Sequence, residues 1–484
     1  MKILVDISYG HKSFGFSGIP QESRFIFSEF VKSSKFLASG LIIPKSGWKL
    51  SKLGHIENQA IFLGLHAGGR LSTKSLCEKM LEKAIGQLGK NLCDRFSHIV
   101  AAYSTYGLSD NLGAEIIWRE YFASTVASQE RALLMKSNYR LTDLGLSDIE
   151  YYTLKTRRSP ALNTIGYEFA LFQNPKPISV SKKTVKVVRY HDGIPLFSSD
   201  TMTSSSPILE HYRSVRICRS QNSLFVCNSP SSLDELEKIA PGTGENASVI
   251  PCMIPDATKI DGNASQLKTI AITRRSDACG IKDDNNNAIK KWFGRFNDIP
   301  EYLLTVGALE PKKNLVNLVA AWQKVRIQEN SRIKLMVVGS LGWEYEKILA
   351  IMRPFVRSGD LIHLEKVDQS ELGILYSSAK CFIFPSLAEG FGLPPIEAMQ
   401  HGCPVIVSDI PAHRYSAGSG AIFCDPYDID DMAQKIAKVV IRMSVTEKLD
   451  LIEKGYKNAS RFTFGNVMPI WEDFFETHRP KNLA

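Results

Sequence analysis

Cys381-Phe382-Ile383-Phe384 runs through Pro385-Ser386-Leu387-Ala388 into Glu389-Gly390-Phe391-Gly392-Leu393-Pro394-Pro395-Ile396-Glu397. Four apolar residues bounded by a turn signal read as a strand buried on both faces. Gly390 and Gly392 allow backbone N–H groups to come close to a ligand. Pro394-Pro395 sets proline at the start of a helix predicted over Pro395–Gln400. A strand, a glycine loop and a helix in that order are the unit of a parallel α/β sheet. The helix start also presents free N–H donors and the positive end of its dipole, which suits an anion. Glu389 and Glu397 are separated by the loop and share no helical face, yet both can border one ligand held there.

The same alternation extends on both sides. Strands are predicted at Tyr302–Val306, Lys334–Val338, Leu361–Leu364, Val405–Ser408 and Ala421–Cys424. Helices are predicted at Leu315–Gln328, around Glu344–Val356, after the capping box Asp368-Gln369-Ser370-Glu371, and at Ile429–Arg442. Asp428-Ile429-Asp430-Asp431 looks like a metal motif, but it opens a helix and reads as capping. The first half repeats the pattern less cleanly: strands at Lys2–Ile7, Leu41–Pro44, Val185–Tyr190, Leu224–Cys227 and Ser248–Met253, with helices over Ile19–Phe36 and Ser231–Ile239. Residues 45–165 hold an insertion that is hard to place. Residues 256–300 are polar and turn-rich, with a short helix expected around Ile289–Phe293, and read as a boundary. The fold class is therefore α/β: two doubly wound, Rossmann-like domains facing a central cleft, over residues 1–260 and 300–465, with 261–299 as linker or insertion. Ligands of such sheets bind at the carboxyl ends of the strands.

Bulk properties agree. A chain of 484 residues exceeds what one core usually supports. Nine scattered cysteines with no Cys-x-x-Cys pair argue against a disulfide framework or zinc ribbon and for a reducing, cytoplasmic compartment. Met1 to Asp6 meets a charge too soon for a signal peptide, and no window approaches a membrane span, so any membrane contact is peripheral. The net charge of +9 is weighted to residues 1–100, with fourteen Lys and Arg against seven Asp and Glu. The tightest basic group is only Lys155-Thr156-Arg157-Arg158, which fits a solvated surface better than nucleic acid.

The Glu389–Glu397 string, with Phe384-Pro385-Ser386 before it and Ala398-Met399 and Gly402-Cys403-Pro404-Val405-Ile406 after it, resembles the Glu-x7-Glu signature of glycosyltransferase family 4, of GT-B fold. The resemblance is strong over about residues 300–440 and weaker in the first half. It implies that Glu389 contacts donor-sugar hydroxyls, that Gly390, Phe391, Gly392 and Leu393 hold sugar and diphosphate, and that Glu397 binds the nucleotide ribose. Gly307-Ala308-Leu309-Glu310-Pro311-Lys312-Lys313-Asn314 resembles the second donor motif, whose lysine matches Lys313, with Lys312 beside it and Gly307 at the strand end. A lysine there neutralises charge on the leaving group. Where many relatives carry Arg, this chain has Ala308. Arg189-Tyr190-His191-Asp192-Gly193 resembles the His-Asp segment, which implies His191 at the reaction centre. Gly15-Phe16-Ser17-Gly18-Ile19 resembles the glycine loop that meets donor phosphates, with Gly18 as the candidate; Arg24, a turn later, is expected to reach an acceptor anion or be exposed. His413-Arg414 stands where relatives have Pro-Glu and reads as a loop variant. Trp471, Phe474 and Phe475 suit a C-terminal helix over 466–484 that crosses back to the first domain.

The resemblance implies a retaining hexosyltransferase that needs no metal or cofactor. Its donor is a nucleotide sugar, GDP-mannose ahead of a UDP-sugar, and its acceptor a glycan or lipid-linked sugar in surface polysaccharide synthesis, at the inner face of the membrane. A nucleotide-sugar epimerase on the same fold and a non-catalytic subunit of a polysaccharide machine are the alternatives. No Gly-x-Gly-x-x-Gly follows the first strand, which disfavours a dinucleotide dehydrogenase.

Overall fold

The computed structural model describes residues 1–11, 18–44, 102–108, 111–142, 144–156, 159–198, 205–256, 263–277, 282–293 and 300–480. Residues 15–17 of the first glycine loop and 45–101 of the insertion lie outside them. The first sheet has the order β3-β4-β2-β1-β5-β6-β7-β8, with β1 Lys2–Asp6, β2 Leu37–Ile42, β3 Thr105–Leu108, β4 Asn138–Thr142, β5 Phe169–Phe172, β6 Val185–Tyr190, β7 Leu224–Cys227 and β8 Ala247–Val249. β3 is antiparallel to β4, and the other pairings are parallel. The second sheet is all parallel, in the order β11-β10-β9-β12-β13-β14: β9 Tyr302–Val306, β10 Lys334–Val338, β11 Leu361–Leu364, β12 Cys381–Phe384, β13 Val405–Ser408 and β14 Ala421–Cys424. Among the described residues no helix is long and apolar enough to cross a membrane.

Apolar runs make these strands because each sheet is covered on both faces. Successive side chains of a strand point to opposite faces. Leu304 accordingly packs in one core with Phe382, while its neighbour Leu303 packs in another with Leu318 and Trp322. In the first half, Ile3 and Val5 share one core and Leu4 another.

Several features differ from the sequence reading, among them the unexpected helix Ser205–Ser220 and the strands β3 and β4. β5 was not expected, because four residues between turn-rich stretches carry little periodic signal, yet it pairs with both β1 and β6. Residues 261–299, expected as a linker, contain the helices Ala264–Thr273 and Lys282–Trp292. Leu267, Ile270 and Ala271 of the first, and Ala288, Ile289 and Trp292 of the second, join the core of the second sheet. Their outward Asp, Asn and Lys residues mask that apolar stripe. Finally, Asp428 does cap the helix Ile429–Ala437, accepting from the N–H groups of Asp430 and Asp431, but the stretch Lys438–Arg442 then widens into a π turn.

The last helix, Phe464–Thr477, packs Val467, Met468, Trp471, Phe474 and Phe475 into the core of the first sheet beside Phe30 and Phe36. Those positions recur at helical spacing. Trp471 is fully buried, stacked on Phe475 with ring centres 5.7 Å apart and edge-on to Phe30 at 5.6 Å. Trp471→Ala is expected to destabilise the first half by about 3–5 kcal/mol, read as a lower urea midpoint. Trp471→Phe, which keeps the aromatic packing, should lose clearly less.

Candidate functional site

The order of the second sheet reverses between β9 and β12, so the loops leaving these strands diverge and open a crevice at their carboxyl ends. Both donor-like motifs lie there. The first loop turns through Pro311–Lys313 into Asn314, whose left-handed φ of 58° starts the helix Leu315–Gln328. The Asn314 amide donates to Pro385 O at 3.1 Å and Pro426 O at 2.7 Å, and Leu387 N donates to Lys312 O at 2.8 Å. The two loops are thereby locked together. Lys313 Nζ donates to Glu389 Oε1 at 2.6 Å and lies 4.7 Å from the ring centre of Phe384.

These contacts set the charge state. Burial alone would raise the Glu389 carboxyl, but Lys313 and Lys312 beside it bring it down to about 2. Burial works against the Lys312 ammonium, yet Glu389, Asp192 and Glu310 hold its pKa above the usual value. His413 belongs to a helix, Pro411–Ala417, and is fully buried, so it is not the loop variant expected. Its Nδ1 faces Ser408 O at 3.1 Å and Ser408 Oγ at 3.0 Å. Burial pushes its pKa down to about 4, against the pull of Glu389. The neutral ring therefore donates from Nδ1 to the carbonyl, and Nε2 is left without a hydrogen-bond partner. It fills the space beside Gly392, where φ is +87° and an added Cβ would stand 3.0 Å from the ring.

The facing wall comes from the first half. Glu22, in the first turn of the helix Ile19–Lys32, is clamped by Arg189 of β6: Nε and Nη2 donate to Glu22 Oε1 at 3.0 and 2.5 Å. The other carboxylate oxygen lies 3.2 Å from His191 Nδ1, and His191 Nε2 donates to Gln173 O at 2.8 Å. Burial would raise the Glu22 carboxyl, but the Arg189 charge and the bonds from His191 and Arg189 bring it to about 2. Arg189 Nη1 donates to Ile250 O at 2.6 Å, so the guanidinium is well served. Arg24, expected at an acceptor or exposed, is instead buried, with Nε donating to Gly10 O at 2.7 Å and Nη1 to Thr125 Oγ1 at 2.8 Å.

The halves meet at the Glu389 loop. Ser229 Oγ donates to Gly390 O at 2.7 Å, and a Cβ on Gly390 would stand 2.0 Å from His191 O, so only glycine fits. Between them lies a cavity of roughly 840 Å³. Of the residues expected in the site, Gly18, His191, Gly307, Lys312, Lys313, Glu389, Gly390, Phe391, Gly392 and Leu393 all line it. Glu397 does not: it is buried behind the loop and bonded to Gln21, Gln369 and Tyr376. The sequence reading missed Gln21, Glu22 and Arg189. A signal exists in hindsight: Gln21-Glu22-Ser23-Arg24 is polar all round at the start of an otherwise apolar helix, and Arg189 interrupts an apolar strand.

The Glu22 clamp makes a pH prediction. A carboxyl held at about 2 when folded, against 4.5 as reference, contributes stability that is complete above pH 4.5 and lost as pH falls toward 2. Glu22→Gln should lower the melting temperature most at pH 7. The gap between variant and parent should narrow below pH 4.5, and a gap constant down to pH 3 would contradict the clamp.

Residues 286–458 match the family model described as glycosyl transferases group 1. O-antigen chain mannosyltransferase B of Escherichia coli is 34% identical over 135 residues, 28% of this chain and 35% of that protein. O-antigen chain mannosyltransferase RfbU of Salmonella typhimurium is 32% identical over 201 residues, 41% and 54% of the two chains. The matches thus span about a third to a half of these two relatives. Sucrose-phosphate synthase from Thermosynechococcus elongatus superposes with a TM-score of 0.54 at 14% identity, covering 99% of this chain and 98% of that one. Anabaena HepE, solved with UDP and glucose, gives 0.54 at 13% identity over 99% and 100%. At such identity the likeness is one of architecture, and it runs the length of both chains: two parallel-sheet domains across a cleft, the GT-B fold.

Proposed function

We propose that this chain is a retaining glycosyltransferase. It moves a hexose from a nucleoside diphosphate sugar to a hydroxyl of a glycan or lipid-linked acceptor in surface polysaccharide synthesis, working in the cytoplasm at the inner face of the membrane. The observation that carries the reading is the meeting of Lys312, Lys313, Glu389 and a glycine-led helix N-terminus at the switch point of the second sheet, with His191 opposite. That set matches the charge of a diphosphate next to a hydroxyl-rich ring. Mannose is the first choice of sugar because the two relatives above are both named mannosyltransferases, and GDP is the first choice of nucleotide from the resemblance of Pro311-Lys312-Lys313-Asn314 to bacterial mannosyltransferases.

In this reading the sugar–phosphate bond breaks as the acceptor oxygen bonds the anomeric carbon from the same face. The acceptor proton passes to the departing phosphate oxygen, so no second carboxylate is needed opposite Glu389. Charge growing on the diphosphate is met by Lys312, Lys313 and the amides that start the helix Leu393–Gln400, without a metal. Glu389 takes sugar hydroxyls. His191 has both ring nitrogens facing oxygen atoms of its own domain, so it shapes the reaction centre as a fixed wall.

Two outcomes are expected. Incubated with GDP-mannose or UDP-sugars and an acceptor glycan, the protein should release nucleoside diphosphate and form a glycoside whose anomeric configuration, read by NMR, matches the donor. A new sugar nucleotide formed without acceptor would instead place it among epimerases. Lys313→Ala should lower kcat by about 10²–10³-fold in protein shown to be folded by circular dichroism, and unchanged turnover would remove Lys313 from the reaction.

A further inference from the structure

Glu397 accepts three hydrogen bonds. Gln369 Nε2 reaches Oε1 at 3.0 Å and the Tyr376 hydroxyl reaches Oε2 at 3.1 Å, both from the same domain. The third donor crosses the cleft: Gln21 Nε2, from the helix Ile19–Lys32, reaches Oε1 at 2.6 Å. The same Gln21 nitrogen is 3.3 Å from Gln369 Oε1, so both amide protons have acceptors. Gln21 and Glu397 are almost wholly buried, at 1% and 3% exposure. A carboxylate has about four acceptor directions, and three are taken here by the protein itself.

The three donors are not equivalent. Tyr376 is fully buried in the core of the second sheet and edge-on to Phe382 at 5.4 Å. Gln369 is the first residue of the helix Gln369–Ser378, whose start the Asp368–Glu371 capping box fixes. Gln21 alone comes from the other domain, on a flexible side chain of two methylenes, so it is the donor that can leave without disturbing the domain that carries Glu397. Its neighbour Glu22 is pinned by Arg189 and His191, which sets the distance from which Gln21 reaches across.

We infer that Gln21 occupies the place on Glu397 that a nucleoside ribose takes, so that a donor nucleotide binds by displacing this cross-domain hydrogen bond. This rests on the proposed glycosyltransferase reading and on the ribose-binding role that the family resemblance implies for Glu397. Gln21 then acts as a positioning residue. It keeps the buried carboxylate satisfied and the domains engaged while the cleft has no nucleotide, and it gives way when ribose hydroxyls supply the donors. The full chain therefore binds nucleotide more weakly than its ribose contacts alone would allow.

Calorimetric titration with GDP and UDP, and with their 2′,3′-dideoxy forms, tests this on the full chain, its Gln21→Ala and Gln21→Met variants, and Glu397→Gln. The parent should prefer the ribose forms, and Glu397→Gln should abolish that preference. The Gln21 variants should bind the ribose forms about tenfold tighter, by the net worth of a hydrogen bond to a charged group, with no gain for the dideoxy forms. In kinetics the gain should appear in donor KM and not in kcat. Equal binding of ribose and dideoxy forms by the parent would remove Glu397 from the donor site and the displacement with it, and would leave the glycosyltransferase reading, which Lys312, Lys313 and Glu389 carry, to its own test. A ribose preference with unchanged or weaker binding in both Gln21 variants would overturn the displacement alone. Gln21→Met keeps the side-chain length, so it decides the matter if the alanine variant unfolds.

Discussion

Everything on the first domain's side of the cleft hangs from the Glu22 carboxylate. One oxygen is held by the fork of Arg189, and the other faces His191. A buried ion pair is a weak source of net stability, because desolvation offsets most of the attraction. Its effect here is geometric. The helix Ile19–Lys32 cannot slide along the sheet without leaving a buried charge unpaired, which is strongly unfavourable. That fixes His191, just past the end of β6, against Gly18 and Gln21 at the start of the helix, which lie far earlier in the chain.

The second domain solves a different problem. Its crevice concentrates positive charge at Lys312 and Lys313, and Glu389 balances it. The glycine loop is shaped by what stands behind it. Neutral His413 occupies the side of Gly392, and the carbonyl of His191 occupies the side of Gly390. The second contact crosses between domains, so the absence of a single Cβ lets the two walls close on each other. The fixed positions of Glu22 and His191 reach the donor loop through that contact.

The sequence made the second half legible because its strands are covered on both faces. Such strands are continuous apolar runs ending in turns, and the chemistry lies in the loops directly after them. Tyr302–Val306, Lys334–Val338, Leu361–Leu364 and Cys381–Phe384 are found at the predicted bounds, and the loops around Lys313 and Glu389 line one cavity. The clamp was not legible because its partners are remote. Glu22 and Arg189 are 167 residues apart, and Gln21 and Glu397 are 376 apart. A buried polar residue satisfied by a distant partner leaves no local period; it shows only as a violation of the apolar pattern. Of the helices in residues 263–293, only a short piece around Ile289–Phe293 was expected; the rest was hidden for the opposite reason, since a polar outer face outweighed a correct inner stripe.

Both glutamates of the signature meet partners from the chain itself: Glu389 takes Lys313, and Glu397 takes Gln21, Gln369 and Tyr376. Satisfaction of this kind is required physically, because an unpaired carboxylate in a confined site is costly. It also sets the terms for the proposed donor. A diphosphate competes with Glu389 for Lys313, sugar hydroxyls compete with Lys313 for Glu389, and ribose competes with Gln21 for Glu397. Each is an exchange of partners with little change in the number of bonds, so the binding free energy is a small difference between large terms. Discrimination among donors then depends on how completely a ligand replaces each displaced contact. A nucleotide that lacks the ribose hydroxyls offers nothing in exchange for the Gln21 bond, which then stays in place, so such a nucleotide gains no contact at Glu397.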